Sequence, residues 1–340
     1  MNFVHLVERL GVNMSKNYLV ADILDKDITK EPIRKGFGIG LLQAGGENDQ
    51  IVALCADLTD STQMNFFKEQ HPERFVEIGV AEQNLVTVAS GLAAVGKIPF
   101  VSSYAAFSPG RNWEQIRTTI CLNDRPVKIV GSHAGISVGP DGATHQMLED
   151  IALMRVLPNM VVIVPGDSLE AKKATLALAE DSRPAYLRLA REATPIITTE
   201  EAPFEIGKAY VYREGKDITI FTTGTMTYQA LVAAEKLARD GINAEVVHVP
   251  TIKPLDSATI LASVTKTGLV LTVEEAQIAG GLGGAIAELL SESLPTKMLR
   301  MGMKDRFGES GNPDELLEHF GLTAKHITFN VHQLLDRLKS

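Results

Sequence analysis

At 340 residues, 45% hydrophobic and 22% charged, the chain is long enough for two domains with a core each and is ordinary in composition, which excludes a disordered or fibrous protein. Its net charge of -9 argues against nucleic acid or an anionic membrane as main partner and leaves small anions open at local basic sites such as Arg34-Lys35. Cys55 and Cys121 lie far apart inside apolar runs and read as buried free thiols in a reducing compartment. With no apolar segment of spanning length, and no apolar leader around Glu8, Arg9 and Lys16, the expectation is a cytoplasmic protein.

Residues 1–20 read as an N-terminal arm, with Met14-Ser15-Lys16 a candidate second start. From there the pattern predicts a helix over Lys30–Ala44, a strand over Gln50–Ala56 and a polar turn Asp57-Leu58-Thr59-Asp60-Ser61-Thr62. A helix over Val80–Val95, a strand over Ile98–Ser103, a helix over Arg111–Leu122 and a strand over Val127–Ser132 follow. Then come a helix over Gln146–Val156, a strand over Met160–Val164, a helix over Ser168–Ala179 and a strand over Ala185–Leu189. Strands alternating with helices predict a parallel sheet, so chemistry is expected in the loops beyond the strands' carboxyl ends.

Residues 192–204, rich in Thr, Pro and Glu, break the pattern and read as a linker between domains at 21–191 and 205–340. The second domain restarts with strands over Asp217–Thr222, Ala244–Val249, Gly268–Val273 and Lys297–Met301. Helices over Tyr228–Asp240, Asp256–Thr265 and Gly283–Ser291 separate them, and the tail 314–339 is helical. The fold class is therefore two parallel-sheet α/β domains. The cluster Gly280-Gly281-Leu282-Gly283-Gly284-Ala285 opens a helix but lacks the spacing of a dinucleotide fingerprint and follows Glu274-Glu275, so close packing is the better reading.

Three stretches carry chemistry. Glu82 stands where the short extended run Phe75-Val76-Glu77 gives way to a helix of small residues, among groups that solvate a charge poorly, so that its uncharged form is favoured; a first-turn glutamate that only complements the helix dipole is the alternative. The loop from His133 through Asp141 to His145-Gln146 gathers two imidazoles and a carboxylate on a Gly-rich turn, placed to exchange protons with a hydroxylated ligand or, alternatively, to shape the turn and cap the next helix. Its spacing matches no zinc signature. Tyr104 and Phe107 end a strand in a setting of small residues and offer a stacking platform or core packing. Arg34 and Ser61 are unremarkable alone, while Arg191 directly follows a strand and suits an anion.

Taken together, Glu77-Ile78-Gly79-Val80-Ala81-Glu82-Gln83-Asn84, Gly110-Arg111-Asn112-Trp113-Glu114-Gln115-Ile116-Arg117 and, most specifically, Asp141-Gly142-Ala143-Thr144-His145-Gln146 resemble the transketolase family from about residue 20 to the end. The resemblance is to its C-terminal half, a thiamine-diphosphate pyrimidine-binding fold followed by the transketolase C-terminal domain. The family's Gly-Asp-Gly motif for Mg2+ and the diphosphate is missing, and Gly166-Asp167-Ser168 fails it. The resemblance thus implies the C-terminal subunit of a split transketolase, inactive alone. A separate N-terminal subunit would carry the Mg2+ and diphosphate site, and this chain would form a homodimer within an α2β2 assembly.

It further implies transfer of a two-carbon ketol unit between sugar phosphates, as in the pentose phosphate pathway. Glu82 would hydrogen-bond the cofactor's aminopyrimidine and promote its imino tautomer, with Phe107 stacking on that ring and Tyr104 beside it. His145 would face the donor hydroxyls and reacting carbon and Asp141 the acceptor hydroxyl. His133, Arg34, Ser61 and Arg191 would bind the sugar phosphate, with Thr59 and Thr62 as rivals to Ser61. Gly110 stands where some members carry an aromatic. Alternatives are the β-like subunit of another split thiamine-diphosphate enzyme, acting on 2-oxoacids or an unusual sugar, and a non-catalytic regulatory half.

Overall fold

The structure is a computed structural model that describes residues 18–339. The candidate second start and most of the expected arm lie outside those residues. Leu19 and Val20, assigned to the arm, are tied down: Leu19 bridges Thr198 and the Val20 amide donates to the Ile197 carbonyl at 2.9 Å.

The first domain runs β1 (Lys30–Pro32), α1 (Ile33–Glu47), β2 (Ile51–Cys55), α2 (Asn65–Gln70), β3 (Phe75–Glu77), α3 (Glu82–Ala94) and β4 (Ile98–Tyr104). It continues with α4 (Trp113–Gln115), prolonged by a π-helical turn Ile116–Cys121, then β5 (Lys128–Ser132), α5 (Asp150–Arg155), β6 (Val161–Ile163), α6 (Ser168–Glu180), β7 (Ala185–Arg188) and β8 (Ala193–Pro195). The second comprises β9 (Tyr210–Arg213), β10 (Ile218–Thr222), α7 (Met226–Arg239), β11 (Ala244–His248), β12 (Thr251–Lys253), α8 (Ser257–Thr267) and β13 (Leu269–Gln277). It ends with α9 (Leu282–Ser293), β14 (Lys297–Met303), α10 (Pro313–His319) and α11 (Ala324–Lys339).

The central strands of both domains are short apolar runs buried on both faces, as parallel strands covered by helices must be. The first sheet has seven strands in the order β12-β6-β7-β5-β4-β2-β3, the second five in the order β14-β13-β10-β11-β9. Both are parallel except at one edge, where β12 and β9 pair antiparallel. These two edge strands depart from the all-parallel expectation. Strand β12 belongs by sequence to the second domain yet pairs with β6 of the first, and one apolar core runs on from Val162 and Val164 to Val249, Ile252 and Ile260.

Two boundaries differ for physical reasons. Lys30–Pro32 is a strand rather than a first helical turn because it pairs antiparallel with Ala193–Pro195, inside the expected linker. The helix expected from Gln146 starts at Asp150, because the Gln146 amide is spent on the Ile136, Gly139 and Glu309 carbonyls. Helix α1 lies hard against α6: a Cβ on Gly36 would stand 1.7 Å from the Ser168 carbonyl oxygen, so only glycine allows the approach.

Candidate active site

The parallel strands of the first sheet deliver one candidate group after another at their carboxyl ends. Strand β2 runs into the turn bearing Ser61, β3 leads to Glu82, β4 ends at Tyr104, β5 ends just before His133, and β7 precedes Arg191. This is where an open parallel sheet holds its ligands.

Glu82 opens α3 and is buried. It is not left among apolar groups, as expected from the sequence. Arg111 Nη1 donates to its Oε2 at 2.6 Å, and Asn112 Nδ2 donates to its carbonyl at 2.9 Å and to Ser108 Oγ at 3.1 Å. The Arg111 guanidinium lies 5.1 Å from the centre of the Phe107 ring. A planar cation thus bridges a buried carboxylate and an aromatic face.

Phe107 belongs to a cluster of four rings. Its centre is 6.1 Å from that of Tyr104 and 5.4 Å from that of His145, and Tyr104 stacks on His133 at 3.9 Å. Sequence reasoning named them as two pairs, Tyr104 with Phe107 and His133 with His145; the fold brings the pairs into one wall. His133 takes φ +56, a conformation costly for a non-glycine residue and found where a side chain must be aimed. Burial first, then the positive charges of Arg34 and Arg191 and the neighbouring His145, push its imidazole down to about 3. It is neutral at any physiological pH.

Arg34 and Arg191 meet behind that wall, where Arg34 Nη1 donates to the Arg191 carbonyl and Arg191 Nη1 donates to the Val138 carbonyl at 2.6 Å. Burial and the Arg191 charge hold Arg34 below the usual guanidinium value. Two half-buried guanidiniums with, among the described residues, one carboxylate neighbour, Glu192 at 3.6 Å from Arg191, form a cationic corner that favours an anion. Ser61 is half-buried in its turn; of its rivals, Thr59 donates to Glu77 at 3.0 Å and Thr62 is buried and donates to the Leu58 carbonyl at 2.9 Å. Asp141 is exposed at the end of the 3-10 turn Ile136–Asp141, and its carboxylate has no ion pair with the other candidates among the described residues.

Sequence reasoning missed the second domain's hold on this loop. Glu275, at the end of β13, accepts from the Ser137 amide at 2.6 Å and from Thr225 Oγ1 at 2.9 Å, and a Cβ on Gly135 would come within 2.4 Å of its Oε1. Beneath it, buried Arg188 donates to Asp150 at 2.8 Å and to the Glu275 carbonyl at 2.9 Å, while Tyr186 donates to the same Asp150 at 2.7 Å. The double glutamate after an apolar strand was the available signal. Its first member also accounts for the Gly cluster: Glu274 accepts from the Leu282 and Gly283 amides at 2.7 and 2.8 Å and so occupies the start of α9. Asp167 is likewise spent internally, accepting from the Glu170, Ile197 and Thr198 amides. Both cysteines are buried and free, with burial pushing the Cys121 thiol up to about 12. Among the described residues no group of three or more His, Cys, Asp or Glu could hold a metal ion, and no helix is long and apolar enough to cross a membrane.

Residues 30–196 match the family profile of the transketolase pyrimidine binding domain, and residues 207–327 that of the transketolase C-terminal domain. A protein of Methanocaldococcus jannaschii named for a transketolase C-terminal section is 48% identical over 308 residues, covering 90% of this chain and 96% of its own. A 6-deoxy-6-sulfo-D-fructose transketolase subunit from Clostridium sp. (strain MSTE9) is 44% identical over 297 residues, covering 87% of this chain and 92% of its own. Among solved structures, a split gene transketolase described as an inactive β4 tetramer superposes with a TM-score of 0.84 at 45% identity, covering 90% of this chain and 98% of that one. The chain belongs to the transketolase family, as its pyrimidine-binding and C-terminal domains.

Proposed function

We propose that this chain is the C-terminal subunit of a split transketolase that transfers a two-carbon ketol unit from a ketose phosphate to an aldose phosphate. Thiamine diphosphate would be bound where it meets a separate N-terminal subunit, with the diphosphate and Mg2+ held on that partner, in an assembly containing a dimer of this chain. The observation that carries the reading is the joining of a buried carboxyl, an aromatic face and a cationic corner along one end of one sheet, in a chain that matches these two domains.

The groups present suit the cofactor's pyrimidine, since a flat N–H donor, the Arg111 guanidinium, already lies with one nitrogen on Glu82 and its carbon 5.1 Å from the Phe107 ring centre. When bound, thiamine diphosphate supplies the nucleophilic carbon that takes up and hands on the ketol unit. Glu82 would hold the pyrimidine by sharing a proton with a ring nitrogen, and Phe107 would carry its flat face with Tyr104 beside it. His145, half-buried against Phe107, would exchange protons with the substrate's hydroxyls, and Asp141 would take the acceptor hydroxyl. Arg34 and Arg191, with Ser61 and a neutral His133, would fix the substrate's anionic end far from the reacting carbon and so orient the bond that breaks.

The test combines this chain with a candidate subunit carrying the Gly-Asp-Gly motif, then measures ketol transfer with thiamine diphosphate and Mg2+. Turnover of 2-oxoacids alone would overturn the reading, and so would full activity of this chain by itself. A second reading concerns only the sugar: one relative is named for a sulfo-fructose substrate, and two guanidiniums accept a terminal sulfonate as readily as a phosphate. Comparing a ketose phosphate with its 6-deoxy-6-sulfo analogue in the same assay separates the two.

A further inference from the structure

We infer that Arg111 is a latch on Glu82 and Phe107, standing in for the aminopyrimidine while the chain is alone and leaving when that ring binds; this rests on the proposed function. Three observations carry it. Arg111 engages the same two groups assigned to the pyrimidine, with Nη1 on Glu82 Oε2 at 2.6 Å and the guanidinium 5.1 Å from the Phe107 ring. The two partners are unequally buried, the Glu82 side chain being 1% exposed and that of Arg111 52%. The backbone beside the latch is fastened, because buried Asn112 holds both the Glu82 carbonyl and Ser108, and the Arg111 amide bonds the Phe107 carbonyl at 2.9 Å.

The asymmetry sets the direction of movement. A half-exposed guanidinium returns to water at little cost, whereas a desolvated carboxylate left without a donor is penalised heavily. Only a ligand that brings its own N–H or protonated ring nitrogen to Glu82, and a flat face to Phe107, can take the place of Arg111. The class selected is a planar, nitrogen-rich heterocycle. Glu82 is thereby kept paired until binding energy from elsewhere on the ligand, such as a diphosphate held by the partner subunit, outweighs the ion pair.

The test titrates the isolated full-length chain with thiamine, which carries the aminopyrimidine without the diphosphate. Binding is followed by calorimetry and by the fluorescence of Trp113, the only tryptophan in the sequence and two residues from the latch. Arg111→Ala should bind thiamine at least tenfold more tightly than the unmodified chain, about 1.4 kcal/mol. Arg111→Lys should fall between them, and Glu82→Gln combined with Arg111→Ala should lose the gain. Circular dichroism and melting temperature report whether each variant is folded. Unchanged or weaker binding by folded Arg111→Ala, or a gain that survives loss of the Glu82 carboxylate, overturns the latch. Ketol transfer by the unmodified chain with its partner is scored separately: transfer without the Arg111→Ala gain refutes the latch and keeps the function, while the gain without transfer refutes the function and keeps a heterocycle latch.

Discussion

His133 offers the sharpest check on the electrostatics of the site. Its imidazole titrates at about 3 in the fold against 6.5 for a free histidine, because burial and the charges of Arg34 and Arg191 oppose a further positive charge. A histidine with a depressed value is neutral in the fold and takes up its proton only on unfolding, so its contribution to stability is complete above pH 6.5 and is lost as the pH falls towards 3. At pH 5.5 the unfolded chain is about nine-tenths protonated at this position and the folded chain scarcely at all, which removes about 1.4 kcal/mol relative to pH 7.5. Urea unfolding of the unmodified chain and of His133→Asn at both pH values isolates this term, since every other titrating group cancels in the difference. The stability gap should shift by about 1.4 kcal/mol in favour of the asparagine variant on going to pH 5.5. A gap independent of pH would refute the argument, and a shift of opposite sign would mean that His133 gains a partner for its charged form.

Four other outcomes follow from the same geometry. An anion bound between Arg34 and Arg191 offsets two of the charges that, after burial, oppose protonation of His133, so binding of sulfate, which has no proton of its own to release, should be accompanied by proton uptake at acid pH; calorimetry in two buffers of different ionisation enthalpy measures it. Glu82→Gln in the assembled enzyme should remove most activity and leave the fold intact by circular dichroism, and near-normal turnover would refute its role. Gly135→Ala adds a Cβ at φ +92 and within 2.4 Å of the Glu275 carboxylate, which should cost roughly 2–4 kcal/mol in unfolding free energy and raise KM as the His133 loop shifts. Asp150→Ala leaves the buried Arg188 guanidinium without its carboxylate and should cost about 3–5 kcal/mol in urea unfolding.

What could be read from the sequence is what local chemistry writes down. The apolar runs Ile51–Cys55, Lys128–Ser132 and Ile218–Thr222 announce buried parallel strands, and parallel strands announce a site at their carboxyl ends. Glu82, Tyr104, Phe107, His133 and His145 were legible because each is an unusual residue at such an end. Asp141 has the same standing in sequence, and the fold leaves it exposed at the end of the 3-10 turn. The partners of these residues were not legible. Arg111 lies 29 positions from Glu82, and Glu275 lies 138 from Ser137, and no local pattern marks a contact across such distances. Edge strands as short as Thr251–Lys253 leave no periodicity to read, because three residues carry no alternation worth counting.

That three-residue strand decides how the molecule can move. Because β12 is laced into the first sheet while β11 and α8 on either side of it belong to the second domain, a hinge between the domains would have to tear a sheet edge and split a shared core. Any opening between the two halves therefore costs that edge pairing and part of the shared core. Smaller movements reach Glu82 at lower cost, above all a half-exposed guanidinium that swings aside.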